Sequence, residues 1–152
     1  MEQEVALVTG ASSGIGAEVS RQLSSRGVQV VLCDVNESAG SALAADINGL
    51  FISCDVSRLD SFEEAVRQCC DQLGPPKFAH LNAGVMTVGP TEPFLAIEDV
   101  SLERYNRIMG VNFDGVFNGM KSLLPVMRAN GGAITATASV AGLGSLPFDP
   151  LY

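Results

Sequence analysis

The sequence predicts an α/β protein built on a doubly wound parallel sheet with helices on both faces. Short runs rich in Val, Leu and Ile alternate with longer stretches of helical periodicity, a pattern typical of successive βαβ units. The short runs are almost continuously apolar, as expected of strands that helices cover on both faces. With 152 residues, we expect a single domain over positions 1–152.

Five strands follow from these apolar runs. They are predicted at Val5 to Thr9, Gln29 to Cys33, Leu50 to Ser53, Phe78 to Asn82 and Ala133 to Thr137. A complete doubly wound fold of this kind has about six strands. We therefore expect C-terminal units of the fold to be missing from this sequence.

Helical periodicity fills the intervals between the strands. After the first strand, Ile15, Val19 and Leu23 lie four residues apart and predict one buried helix face. After the third strand, Ser61 and Glu64 have the spacing of a capping box, which predicts that a helix begins there.

A longer helical pattern covers residues 101–128, with a break predicted near Gly110. Gly115 and Gly119 lie four residues apart and predict close approach to a neighbouring element. The predicted apolar face consists of Phe113, Phe117, Met120, Leu124 and Met127.

Composition and charge exclude several classes of partner. Nine Lys and Arg against seventeen Asp and Glu give a net charge of −8, which argues against nucleic acid and anionic membranes. The acidic N-terminus lacks the cationic start of a targeting peptide. The longest uncharged stretch, residues 129–148, is half Gly, Ser, Thr, Asn or Pro, so we expect no membrane span and a cytoplasmic location.

The cysteines and the single histidine do not form a metal-binding pattern. Cys33, Cys54, Cys69 and Cys70 show no C-x-x-C spacing, and His80 stands alone, so we expect no metal site. Cys69 falls on a helical apolar stripe and is interpreted as a buried thiol. A redox role for the adjacent Cys69 and Cys70 is the less favoured alternative.

A glycine-rich turn follows the first strand directly and leads into the first helix. Glycines at such a turn let the backbone approach a pyrophosphate, and the helix N-terminus offers it free N–H groups. The position between strand and helix predicts a nucleotide site rather than a structural turn. The candidate binding residues are Gly10, Ser12, Ser13, Gly14, Ile15 and Gly16.

An acidic residue ends the second strand. Asp34 lies twenty-four positions after Gly10, where a nucleotide-binding βαβ unit places a carboxylate to accept from ribose hydroxyls. A carboxylate there repels a 2′-phosphate, and neither Ser13 nor Val35 offers a compensating cation. We therefore expect NAD as the cofactor, with NADP less favoured.

Together these segments resemble the short-chain dehydrogenase/reductase family. Residues 9–16 match its T-G-x-x-x-G-x-G motif, and Asp55-Val56 resemble its adenine-contacting pair. Asn82-Ala83-Gly84 match its N-A-G, although Leu81 replaces the first Asn of the usual N-N-A-G. The resemblance implies a Rossmann-type fold and adds Asp55, Val56, Asn82, Ala83 and Gly84 to the cofactor-binding residues.

Three further matches imply the catalytic residues. Asn112 resembles the family's Asn, which holds a water in a proton relay. Ser139, in a Ser-Val-Ala-Gly setting, resembles the catalytic Ser, and Tyr152 follows at the family's customary interval of thirteen residues. Each has a local alternative when taken alone: Asn112 as a helix-interior polar group, Ser139 as a loop hydroxyl.

The resemblance implies an NAD-dependent oxidoreductase that transfers a hydride between nicotinamide and a secondary alcohol or ketone. Ser139 would bind the substrate oxygen and Tyr152 would exchange a proton with it as general acid or base. In the family a Lys four residues after the Tyr assists, and that position lies beyond this sequence. The complete protein is expected to form a homodimer or homotetramer.

Alternatives to turnover stay open at this point. The first is a truncated module that binds NAD without catalysis, and the second is a sugar-nucleotide epimerase, whose usual glycine spacing fits less well. The substrate is predicted to be a small apolar alcohol or carbonyl compound. The apolar residues expected to border its pocket are Met86, Leu143, Leu146 and Phe148.

Overall fold

A computed structural model describes residues 3–89, 91–144 and 149–152. It contains five strands at the predicted places, and none differs from its predicted end by more than one residue. They are β1 Val5–Thr9, β2 Gln29–Asp34, β3 Leu50–Ser53, β4 Phe78–Leu81 and β5 Ala133–Ala136. The strand assignments from the sequence are therefore confirmed.

The strands form one parallel sheet in the order β3-β2-β1-β4-β5. Val8 pairs with Leu32 on one side and with His80 on the other, so β1 lies at the centre. The chain builds outward from β1 to β3, then returns to place β4 on the opposite side of β1. This change of direction leaves a crevice at the carboxyl ends of β1 and β4, the place where doubly wound sheets bind ligands.

Hydrophobic side chains pack on both faces of the sheet around β1 and β2, whereas β5 at the edge is largely exposed. Successive side chains of a strand point to opposite faces, so Leu7 packs with Phe62 and Leu123 on one face, while Val8 packs with Leu43 on the other. All five of these residues are buried. The Rossmann-type, two-faced architecture predicted from the apolar runs is confirmed.

Among the residues that the structure describes, five α-helices connect the strands. They are α1 Gly14–Ser25, α2 Glu37–Ile47, α3 Leu59–Leu73, α4 Leu102–Ile108 and α5 Gly115–Met127. Short 3-10 turns lie at Ile97–Asp99 and Val140–Gly142. The βα alternation predicts a helix between β2 and β3 without fixing its bounds, and caps define it in the structure. Asn36 caps α2 by accepting from the Ala39 N–H at 3.1 Å, and Asn48 ends it in the left-handed region at φ 53°.

Two local expectations are wrong. Ile15, expected on the buried face of α1, is 62% exposed, because it lies in the first turn of the helix. The capping box of Ser61 and Glu64 does not form, since α3 already begins at Leu59. The Ser61 hydroxyl instead accepts the Asp55 N–H at 3.0 Å.

The predicted break near Gly110 is a π-helical turn over Met109–Asp114, which joins α4 to α5. The apolar face expected for α5 is wrong in all but one residue. The small residues Gly115 and Gly119 face the sheet instead, and a Cβ on Gly119 would lie 2.7 Å from Leu81. Only Met127 of the predicted face is buried, whereas Phe113, Phe117, Met120 and Leu124 are exposed.

In the part of the chain that the structure describes, every helix is too short or too polar to cross a lipid bilayer.

Candidate active site

The predicted functional residues follow the carboxyl edge of the sheet. Because all five strands are parallel, their carboxyl ends lie along one edge. In sheet order this edge carries Asp55 after β3, Asp34 at the end of β2, the glycine turn after β1, Asn82 after β4 and Ser139 after β5.

The glycine turn needs its glycines for two different reasons. Gly10 and Gly14 have φ angles of 62° and 53°, a region that side chains with a Cβ rarely adopt. Gly16 has no room for a Cβ, which would overlap the Gly10 carbonyl and lie 2.8 Å from Asn82 Nδ2. The glycine turn is therefore in close contact with the first turn of α1.

The start of α1 fits an anion such as a pyrophosphate. The Ser13 side chain makes no capping hydrogen bond to the first turn, which leaves these N–H groups available. A Cβ built on Gly14 would meet no atom within 4 Å, so the backbone there is open to a ligand. The first turn of α1 can thus hold the phosphates of a dinucleotide.

Hydrogen bonds brace the glycine turn against β4. The Thr9 hydroxyl accepts the N–H groups of Asn82 and Ala83, at 2.9 and 3.1 Å. The Asn82 amide donates back to the Thr9 carbonyl at 3.3 Å, and its Oδ1 accepts the Thr137 hydroxyl at 2.9 Å. Asn82 therefore joins β1, β4 and the end of β5, a positioning role that the sequence motif does not reveal.

Asp34 lies half-buried beside the glycine turn. Its Oδ2 accepts the Ser12 N–H at 3.0 Å, and its Oδ1 accepts the Asn36 N–H at 2.9 Å. These bonds fix the carboxylate between the turn and the start of α2. The role of this carboxylate as a partner for ribose hydroxyls stays a prediction from its spacing to Gly10.

Asp55 and Val56 occupy the far end of the edge. Asp55 Oδ1 accepts hydrogen bonds from the hydroxyl and the N–H of Ser57, at 2.7 and 3.0 Å. Val56 is buried, and its carbonyl accepts the Asn118 amide of α5 at 2.9 Å. The sequence offered no signal for Ser57 and Asn118 as supports of this pair.

Asn112 lies in the π-helical turn and clamps the loop after β4. Its Oδ1 accepts the Val85 N–H and its Nδ2 donates to the Val85 carbonyl, both at 2.8 Å. A Cβ on the preceding Gly84 would lie 3.6 Å from the same amide. The side chain of Asn112 is thus engaged with the main chain of the loop that begins at Asn82-Ala83-Gly84.

Ser139 and Tyr152 lie beyond β5. Ser139 is half-buried, and its Oγ accepts the Ala141 N–H at 3.1 Å. Tyr152 is 42% exposed. Within residues 3–89, 91–144 and 149–152, no hydrogen bond joins these two side chains to each other or to Asn112. The positions of Ser139, Tyr152 and Asn112 relative to one another are therefore set by the backbone.

A buried carboxylate that the sequence did not single out lies just before Tyr152. Asp149 is 3% exposed and accepts hydrogen bonds from Thr87 in the loop after β4. Burial alone would raise the pKa of the Asp149 carboxyl. The hydrogen bonds from Thr87 and from the Leu151 and Tyr152 N–H groups outweigh that effect, and its pKa lies below the usual value.

The residues expected to border a substrate pocket are only partly described. Met86, in the loop after β4, and Leu143, four residues after Ser139, are both exposed. Leu146 and Phe148 lie outside the described residues.

Fold and site together define a nucleotide-binding Rossmann-type protein. The family model of short chain dehydrogenases matches residues 4–152. The chain belongs to the short-chain dehydrogenase family of oxidoreductases.

Individual relatives agree with this assignment. The trans-4-hydroxycyclohexanecarboxylate dehydrogenase of Sinomonas cyclohexanicum is 34% identical over 93% of this chain and 56% of its own length. The 3-ketoacyl-(acyl-carrier-protein) reductase of Brucella melitensis, solved with NADH, superposes with a TM-score of 0.91 at 28% identity, over 99% of this chain and 63% of that one.

An actinorhodin polyketide ketoreductase, solved with NADPH, superposes with a TM-score of 0.90 at 28% identity, over 99% of this chain and 58% of that one. Similar structures thus hold either nicotinamide cofactor. The chain spans a little over half the length of the relative and structures that it matches.

Proposed function

We propose that this chain carries the cofactor site and catalytic residues of an NAD-dependent oxidoreductase. The reaction is hydride transfer between nicotinamide and a secondary alcohol or ketone. The observation that supports it most strongly is the order of the candidate residues along one sheet edge, from Asp55 and Asp34 through the glycine turn to Asn82 and Ser139. The relative from Sinomonas, named for a cyclic secondary alcohol, supports the substrate class.

The cofactor-binding residues have distinct tasks in this proposal. The glycine turn and the first turn of α1 bind the pyrophosphate, Asp34 accepts from the adenosine ribose, and Asp55-Val56 contact the adenine. We propose NAD rather than NADP, because the fixed carboxylate of Asp34 would repel a 2′-phosphate. The bound nicotinamide supplies or accepts the hydride.

The side chains after β5 handle the substrate oxygen. The Ser139 oxygen already accepts the Ala141 N–H, so its own O–H proton is free to be donated to the substrate oxygen as negative charge develops there. Tyr152 exchanges the proton of that oxygen as general acid or base. Asn112 keeps the loop after β4 in place through Val85.

Residues around the site support proposals about the substrate and about the assembly of the complete protein. Exposed Met86 and Leu143 favour an apolar small molecule, and the exposed apolar side chains of α5 favour a homodimer or homotetramer of the complete protein. A cytoplasmic location, and the lack of nucleic-acid and membrane partners, stay predictions from charge and composition.

Two tyrosines make a matched test of this function, because the chain has only Tyr105 and Tyr152. NADH and NADPH binding are titrated by fluorescence, and turnover of trans-4-hydroxycyclohexanecarboxylate with NAD is followed by absorbance. We expect Tyr152→Phe to lower kcat by about 100-fold or more, because a general acid-base group is lost. Tyr105→Phe on α4 should leave kcat within about twofold, a margin well below that loss.

The other outcomes separate the alternatives. Tight NADH binding without turnover of any secondary alcohol or ketone would favour the binding module without catalysis. Equal affinity for NADPH and NADH would contradict the role given to Asp34.

A further inference from the structure

The Asp149 carboxylate is bound entirely by N–H and O–H donors. Its Oδ2 accepts the Thr87 N–H at 3.0 Å, and its Oδ1 accepts the Thr87 hydroxyl and the Leu151 N–H, the latter at 3.2 Å. No Arg or Lys of the described residues pairs with it. A buried carboxylate without a cationic partner depends on these hydrogen bonds, because losing one donor would leave a buried negative charge without a hydrogen-bond partner. The hydrogen bonds therefore keep the donor groups in fixed positions.

Thr87 is itself anchored in the site. Its carbonyl accepts Arg104 Nη1 at 2.9 Å, and the same guanidinium binds Glu92 at 2.7 Å. Two residues earlier, Val85 is held on both main-chain atoms by Asn112. Thr87 thus belongs to a loop that is fixed at one end by the π-helical turn and at the other by α4.

We propose that Asp149 is a positioning residue for Tyr152, which it holds in register with the loop after β4 through its bonds to Thr87. This inference rests on the proposed function of Tyr152. Asp149 lies only three residues before Tyr152, and its bond to the Leu151 N–H fixes the direction of the intervening backbone. The bonds to Thr87 fix where that backbone lies relative to Asn112 and Val85.

The arrangement matters because the Tyr152 side chain is partly exposed to solvent. Tyr152 is 42% exposed, and its side chain makes no hydrogen bond within the described residues. A displacement of about 1 Å in a catalytic group can cost on the order of 100-fold in rate. In this proposal Asp149 acts on kcat through the position of Tyr152.

Thr87 allows a matched pair of variants, tested in the full chain. Thr87→Val keeps the shape but removes the hydroxyl donor, whereas Thr87→Ser keeps the donor. We expect Thr87→Val to lower kcat by about tenfold, with KM for the alcohol and Kd for NADH changed by less than about twofold. Thr87→Ser should retain kcat, and Asp149→Asn should lose at least as much as Thr87→Val.

A second readout does not depend on turnover. In protein labelled with 13C-tyrosine, the Tyr152 ring resonance, assigned by its loss in Tyr152→Phe, should shift or broaden in Thr87→Val and Asp149→Asn. The Tyr105 resonance should stay unchanged and so reports that the variants are folded. Thr87→Ser should reproduce the wild-type spectrum.

The outcomes separate the two proposals. A folded Thr87→Val with wild-type kcat and an unmoved Tyr152 resonance would overturn the role of Asp149. The same holds if Thr87→Ser is as impaired as Thr87→Val. A Tyr152 resonance that moves in a protein without any turnover would support the contact between Asp149 and Tyr152, while the proposed oxidoreductase function fails.

Discussion

Gly16 shows how a single missing Cβ shapes the cofactor site. Its Cα lies so close to the Gly10 carbonyl and the Asn82 amide that no other residue fits. Both obstacles are tightly held, because one is backbone and the other is hydrogen-bonded to Thr9. The close contact of α1 with the glycine turn therefore depends on this residue.

Replacing Gly16 with Ala should damage both binding and stability. The added methyl group must push the turn away from α1, and overpacking of this kind costs about 1 to 3 kcal/mol. We expect a lower urea midpoint and at least about tenfold weaker NADH binding, since the displaced N–H groups are those proposed to hold the phosphates. Gly142→Ala is the control, because a Cβ there would meet no atom within 4 Å. Unchanged NADH affinity in Gly16→Ala would contradict the assignment of the turn.

Cys69 illustrates a residue whose chemistry is suppressed by its surroundings. It is fully buried, and its thiol donates a weak hydrogen bond to the Gly74 carbonyl at 3.7 Å. Burial raises the pKa of the Cys69 thiol to about 12, so the reactive thiolate is scarce at neutral pH. The structure supports the interpretation as a buried thiol over a redox pair with Cys70.

At the scale of the helix, α5 packs with its small residues rather than its large ones. Gly115 and Gly119 contact Val56 and Leu81, so the helix lies close to the sheet. The buried face of α5 also carries polar side chains. Asn118 donates to the Val56 carbonyl, but the Ser122 hydroxyl has no partner within the described residues.

Replacing each of two buried helix serines with Ala should affect the free energy of unfolding differently. Ser122→Ala removes an unpaired buried hydroxyl and improves helix propensity, so we expect the free energy of unfolding to rise by about 0.5 to 1.5 kcal/mol. Ser20→Ala in α1 removes a hydroxyl that donates to the Gly16 carbonyl at 2.8 Å, so that free energy should fall or stay level. Urea unfolding of both variants checks the prediction, and a destabilised Ser122→Ala would point to a partner for that hydroxyl.

At the scale of the whole molecule, carboxylates determine how the stability of the fold decreases at acidic pH. Hydrogen bonds outweigh burial and lower the pKa of Asp149, and the Arg104 guanidinium lowers the pKa of Glu92. A carboxyl group with a lowered pKa in the folded state stabilises the fold above its unfolded pKa, about 3.9 for Asp and 4.3 for Glu. That contribution is lost as the pH falls through the folded pKa.

We therefore expect the melting temperature to be level near neutral pH and to fall below about pH 4. Asp149→Asn should have a lower melting temperature than wild type at pH 7, because one of the two oxygens that accept from Thr87 and Leu151 becomes an NH2 group, which cannot accept. The difference between the two proteins should shrink as the pH falls below about 4, because the stabilisation from the Asp149 carboxylate is lost between its unfolded and its lower folded pKa. Thermal melts from pH 7 to pH 3 measure this, and a constant difference would show that the charge on Asp149 does not matter.

The sequence predicted those parts of the molecule that local chemistry controls. The five strands are short apolar runs bounded by turn residues, so their positions could be read to within one residue, although only β1 and the middle of β2 are continuously buried and β5 is largely exposed. The glycine turn and Asp34 were placed correctly at the edge of the sheet, because parallel strands bring their carboxyl ends together. The π-helical turn was marked by Gly110, where helical periodicity is interrupted.

Only the tertiary structure decided which groups meet across long stretches of chain. Periodicity placed the large side chains of α5 inward, but whether a helix buries its large or its small residues depends on how closely it packs on the sheet. The bond from Asp149 to Thr87 joins residues 62 positions apart, a separation that carries no local signal. The sequence by itself thus determined the fold and the order of the site residues, because these follow from strand burial and parallel connection, while the contacts that hold the site together arise only from packing.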